Sequence, residues 1–443
     1  MKFAKLSLAA IMAMGISAFA TDIKVDGDVK VYYGTTDADY NDGITRVSPT
    51  TGDMFGQKNS YGDAAVRVGM TAENMPAGLT GRLSMTYLTT MGLEGRLVNG
   101  VWAGLSEDTQ LDGIWFDEMN LKGTVFDKTT VIAGRQYLDT PMVFSEKWNI
   151  AKNSYDAAVV VDQHIEKTAL VAAWVWRSNI NGSLTVANGD GSFNDGFDTF
   201  GDNGAYAFGA VTSLIPYTTA QAWYYSVDSV ADAYWLQADI KPTIGEDMNL
   251  EIGGQFAGTL VADSTYKALG IPSSGQDDAT AWAIKAGIDF AGARISAAYS
   301  STDKGNLGFA NVGGDQSKLY TEAWWNYGYV SAPDTDAYNV TAEYSWADVA
   351  DFGAYYTHTE FNGNDGEAFL NGGITNNLSK DDEMDEFTLT ASKSFGAFDA
   401  SIAYIYTDAD NLNWKDKNGN GQRDKNENGD SFNTLQVYLT YNF

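Results

Sequence analysis

The chain has 443 residues, with 58 Asp and Glu against 28 Lys and Arg, a net charge of −30 and no cysteine. That balance excludes a nucleic-acid partner, which needs a basic surface, and the missing thiols exclude a disulfide framework. No stretch after the N-terminal segment is long and apolar enough for a membrane-spanning helix. Aromatic residues nevertheless make up 13% of the chain, with 25 Tyr and 12 Trp, which suits two aromatic belts at membrane interfaces.

The first element is a basic tip, Met1 to Lys5, followed by an apolar run over 6–15 and the small-x-small triplet Ala18-Phe19-Ala20. The run is too short to span a bilayer and turns polar at once, so residues 1–20 are expected to be a cleaved secretory signal peptide. The mature part, 21–443, is expected to be one domain.

Strand patterns follow, each with period-two alternation. Ile23, Val25, Val29, Val31 and Tyr33 share one face of the first, and Ala64, Val66, Val68 and Met70 mark the second. A short turn at 73–78 leads to Leu79, Leu83, Met85 and Tyr87. Further pairs are expected at 114–123 with 129–137, 154–163 with 168–178, 205–214 with 218–227, and 233–240 with 249–260. The set continues with 281–290 and 293–302, 337–346 and 349–360, then 387–394 and 400–407. It closes on Leu435, Val437, Leu439, Tyr441 and Phe443, an apolar stripe that runs to the last residue. The expected fold is all-β: a transmembrane antiparallel β-barrel of about eighteen strands, sixteen at fewest, each near ten residues long. An even count places both ends in the periplasm, with short turns there and long loops outside. One short joint, 228–231, falls on the outside. An outer-membrane location in a Gram-negative cell follows, with lipid and lipopolysaccharide as surroundings.

If the apolar faces meet lipid, the other faces line a lumen. Alternation puts Arg67 and Arg82 there, and Glu251, Lys285, Asp289, Arg294 and Glu343 as well. Arg135 is also placed inside, because a lipid-facing arginine at mid-depth costs about 2–4 kcal/mol. That frame carries Val131 and Ala133 inward with it. So many charges suit a water-filled channel and not a dry core.

The joint at 138–153 differs from the other long ones. Met142, Val143, Phe144, Trp148 and Ile150 need burial, so the loop is expected to fold into the barrel or to pack on a neighbouring subunit. Folded inward, it would bring Asp139 and Glu146 opposite Arg67, Arg82 and Arg135, and the opposed charges would set a transverse field. The other reading is that these residues only pack the loop against the wall. Acidic runs such as Asp381-Asp382-Glu383 and Asp408-Ala409-Asp410 lie between strands, where they either solvate the surface or attract cations to the pore mouth.

The run Gly134-Arg135-Gln136-Tyr137-Leu138-Asp139-Thr140-Pro141-Met142 resembles the segment entering the constriction loop of Opr-type outer-membrane porins, which include the campylobacter-type major porins. The resemblance implies an eighteen-stranded barrel, a homotrimer, and passage of small hydrophilic solutes, cations and amino acids. It also implies that Arg135 is a wall residue at the narrowest point and that Asp139 opens the constriction loop.

Near the C-terminus, residues 416–427 fit the twelve-residue calcium-loop template. Asp416, Asn418 and Asn420 offer side-chain oxygens, Gly421 makes the turn, Gln422 offers its carbonyl, Asp424 binds directly or through water, and Glu427 closes the loop. Arg423 departs from the template and strands flank the loop in place of helices, so the expected role of Ca2+ is to order an outside loop.

An enzyme would need a Ser-His pair, and only His164 and His358 exist, neither with an evident serine. The sequence therefore points to a passive, cation-favouring porin. The alternatives are a surface adhesin or receptor barrel, or a channel specific for amino acids or other small molecules.

Overall fold

The computed structural model describes residues 22–38, 53–93, 112–148, 150–179, 185–186, 198–200, 203–245, 248–263, 265, 278–305, 307–312, 314, 316–363, 378–410 and 431–443. The expected signal peptide at 1–20 and the calcium-loop match at 416–427 lie outside the described residues.

Eighteen long strands form the wall: β1 Asp22–Thr36, β2 Ser60–Met75, β3 Leu79–Thr89, β4 Asp112–Val125, β5 Thr129–Gln136, β6 Tyr155–Asp162, β7 Thr168–Ser178, β8 Ala205–Thr212 and β9 Thr218–Val227, then β10 Ala231–Ile240, β11 Met248–Val261, β12 Asp278–Phe290, β13 Ala293–Thr302, β14 Thr335–Trp346, β15 Ala350–Phe361, β16 Asp382–Phe395, β17 Phe398–Ala409 and β18 Ser431–Asn442. Each pairs antiparallel with its sequence neighbours. The first and last close the ring, with Asp28 opposite Asn442 through to Thr36 opposite Thr434. Phe443 adds two backbone bonds to Gly27, each 3.0 Å. Closure leaves no open edge, so the strands satisfy their own backbone groups, as hydrocarbon demands.

Alternation sorts the faces. Val25, Val29, Val31, Leu236, Ile252, Ile284, Ile295, Val340, Leu389 and Leu439 are exposed on the outer surface. An exposed apolar belt of this extent is stable only against lipid. Rings bracket it: Phe290, Phe395, Phe398 and Tyr441 at the short-turn end, and Tyr234, Trp282, Tyr299 and Tyr338 towards the other. The turns at the first end are tight. At Ala291-Gly292 both residues are left-handed, with φ of 49° and 81°, the turn whose twist matches the flanking strands. Long connections leave the opposite end, and the short joint at 228–230 lies among them.

One face assignment is corrected. Val131 stands opposite Gly123 and Val160, and Ala133 opposite Leu121 and Ala158. Leu121 and Val160 are exposed on the outer surface, so Val131 and Ala133 belong to that surface too. Arg135 stands opposite Met119 and Asp156, next to Gly134, whose φ is 121°. A Cβ there would stand 2.2 Å from the Met119 carbonyl oxygen. Glycine permits the close approach.

Candidate functional site

Two long connections fill the lumen. The loop at 137–154 turns on itself: the Ser145 amide donates to the Leu138 carbonyl at 2.8 Å and the Thr140 amide to Val143 at 3.0 Å. A short ladder pairs Lys147-Trp148 with Ala151-Lys152. Met142 and Val143 pack into the cluster of Trp223, Tyr225 and Trp235. The neighbours Tyr224, Tyr234 and Leu236 are exposed outside, so the cluster belongs to the lumen face and the loop lies within the barrel.

The second connection, at 303–334, was not singled out from the sequence. Phe309, Leu319, Tyr329 and Val330 are buried in it. It is bonded to the first loop. Asn311 accepts from the Phe144 amide at 3.0 Å and donates Nδ2 to the Phe144 carbonyl at 2.7 Å, while the Val312 amide reaches the Met142 carbonyl at 2.9 Å. It is also bonded to the wall. Glu386 of β16 accepts from the backbone amides of Trp324 at 2.7 Å, Trp325 at 3.1 Å and Asn326 at 2.7 Å. Tyr320 donates its hydroxyl to Asp239 at 2.7 Å. Burial holds the carboxyl of Glu322, in the same loop, well above the usual range.

The expected partners of the arginines are corrected. Asp139 faces Lys318 at 2.9 Å, with its side chain 84% exposed. Glu146 is 1% exposed and accepts from the Asn311 side chain and the Gln316 amide, each at 2.9 Å. The second loop therefore claims both carboxylates. The arginines meet wall acids instead. Arg67 binds Asp28 at 2.7 Å, Arg82 binds Glu118 at 2.9 Å and also Asp26, and Arg135 binds Asp156 at 2.9 Å. Arg177 shares Asp156 at 2.5 Å. On the far wall, Glu251 is held by Lys285 at 2.7 Å, Arg294 at 2.6 Å and Lys241 at 3.0 Å. The wall charges largely neutralise one another.

The first loop's lysines are different. Lys147 and Lys152 stand over the rings of Tyr438 and Tyr137, at 5.9 and 5.6 Å, and among the described residues no carboxylate lies within 4.0 Å of either. Lys30 of β1 pairs with Asp28 at 3.0 Å. Enclosure by protein, then the charges of Lys30 and Lys152, push the Lys147 ammonium below the usual lysine range. A cavity of about 700 Å³ lined by Trp324, Trp325, Tyr327, Lys393 and Tyr438 lies on one side. Another of about 410 Å³, lined by Arg67, Arg82, Glu118 and Lys152, lies on the other. Both are bounded by Lys30, Lys147 and Ile150, which therefore stand at their junction. Lys30 was readable from strand parity, and Lys147 from its place in a loop that needs burial.

Among solved structures, the chain is similar to Pseudomonas aeruginosa OpdK with vanillate (TM-score 0.70, 11% identity, 96% of this chain and 99% of that one). It is also similar to P. aeruginosa OccK8, or OprE (0.66, 13%, 96% and 99%). A BenF-like porin from Pseudomonas fluorescens Pf-5 matches as well (0.70, 10%, 96% and 99%). At these identities the likeness is one of fold, and the fold is that of these outer-membrane channels. No protein-family profile and no curated protein sequence matches the chain.

Proposed function

We propose that the chain is a substrate-selective outer-membrane channel for small organic anions, carboxylates foremost. The carrying observation is the lysine junction. Lys30 and Lys147 stand at the passage between two cavities, Lys152 lines the smaller one, and the arginines of that cavity are paired with acids. Cations without a fixed counter-ion in an enclosed aqueous passage attract anions. The aromatic lining of the larger cavity adds stacking surface for a planar solute. The similar fold of a channel solved with vanillate, an aromatic carboxylate, supports the same chemistry.

The competing reading is the passive, cation-favouring pore, which the net charge of −30 favours. Planar-bilayer recordings separate the two. We expect a reversal potential that favours anions in a KCl gradient, and open-channel block by millimolar vanillate but not by benzylamine. Cation preference with no block by vanillate would sink the proposal and restore the passive pore.

A further inference from the structure

The outer face of the barrel carries a cluster that the channel does not use. In the ladder between β15 and β16, His358 stands opposite Asp385 and Glu360 opposite Glu383. Their neighbours Thr357, Thr359, Met384 and Glu386 are 2%, 3%, 0% and 1% exposed and point to the lumen side. His358, Glu383 and Asp385 therefore point outward. The His358 ring lies 5.0 Å from that of Tyr338, which is exposed in the aromatic belt, so the cluster sits at the level of the membrane interface on the long-loop side.

One imidazole nitrogen and two carboxylate oxygens from these residues all lie within 4.8 Å of one another. His358 Nδ1 is already 2.9 Å from Asp385 Oδ1. A four-coordinate ion with bonds of about 2.1 Å sets its ligand atoms roughly 3.4 Å apart, so a rotation of the exposed Glu383 side chain is enough to close the set. Tyr356 donates its hydroxyl to Asp385 at 2.6 Å and fixes that carboxylate, as outer-sphere partners of ligands do. Glu360 stands in register beside Glu383, and a histidine–aspartate pair alone gives no reason for a second and third carboxylate to gather there. A bound cation does, because it removes the repulsion.

We propose that His358, Glu383 and Asp385 form a divalent-metal site on the outer rim. The mixed nitrogen and oxygen donors select a Zn2+-like ion over Mg2+ or Ca2+. The site lies apart from the lysine junction and does not depend on what the channel passes.

Calorimetry with ZnCl2 on the tag-free, refolded full barrel at pH 7.5 tests this. Only two histidines exist in the chain, so H164Q serves as the control. We expect saturable binding that weakens at least about tenfold in H358Q and in E383Q and is unchanged in H164Q. A heat-modifiable gel shift checks that each variant is folded, and E383Q alters only an exposed side chain. Identical titrations for wild type, H358Q and E383Q, or no saturable heat from the wild type up to about 1 mM Zn2+, would overturn the site.

Discussion

Lys147 is pressed towards neutrality by its enclosure and by Lys30 and Lys152. Its pKa lies below the usual lysine range, so its charge is lost at a lower pH than that of an ordinary lysine. The sign follows: the proposed anion preference falls as pH rises through that lowered value. Recordings across this range are expected to show the decline in wild type, whereas K147Q should start weaker and stay flat. A flat wild-type profile would remove Lys147 from the selectivity step. Gly134 acts at the same scale. Alanine there meets the Met119 carbonyl and a φ of 121°, so G134A is expected to cost about 1–3 kcal/mol of barrel stability, read by denaturant unfolding in detergent.

At the scale of elements, two loops 149 residues apart in sequence, at 137–154 and 303–334, lock together inside the barrel. Asn311 is the fastening, since its one amide group accepts from and donates to the Phe144 backbone and also reaches Glu146. N311A is expected to leave Glu146 buried and short of a partner, at about 1–3 kcal/mol. Single-channel traces should then show higher conductance and more open-state noise, and an unchanged trace would show that the loops hold without it. The loop at 137–154 was legible because Met142, Val143 and Phe144 stand together in a joint where polar residues are the rule. The loop at 303–334 was not. Its Trp324, Trp325 and Tyr327 read like members of an interfacial belt, and a single sequence does not separate a ring facing lipid from a ring lining a lumen.

For the whole molecule, net charge is a poor guide to selectivity. Exposed charges more than about 10 Å from the passage are screened by salt, and the lumen acids nearest the arginines are consumed in pairs. In the proposed channel, the cations at the junction set the local field. Lipid facing is testable at the same scale: Leu389, halfway along β16 and exposed outside, should cost about 2–4 kcal/mol when changed to arginine in bilayers. A change under about 1 kcal/mol would place it off the lipid.

The sequence by itself determined the barrel. Period-two alternation sets the face of most strand residues, and joint lengths set the sides, so the all-β eighteen-stranded ring and its short-turn end were legible in the sequence. Only the tertiary structure decided which charge meets which. Asp139 and Glu146 have carboxylates as free to meet Arg67 as Lys318, and the choice was made by a second loop entering from 167 residues further along, the separation of Phe144 and Asn311. Alternation is a local property of the backbone. Charge pairing is a property of which segments share the lumen, and local pattern carries no record of that.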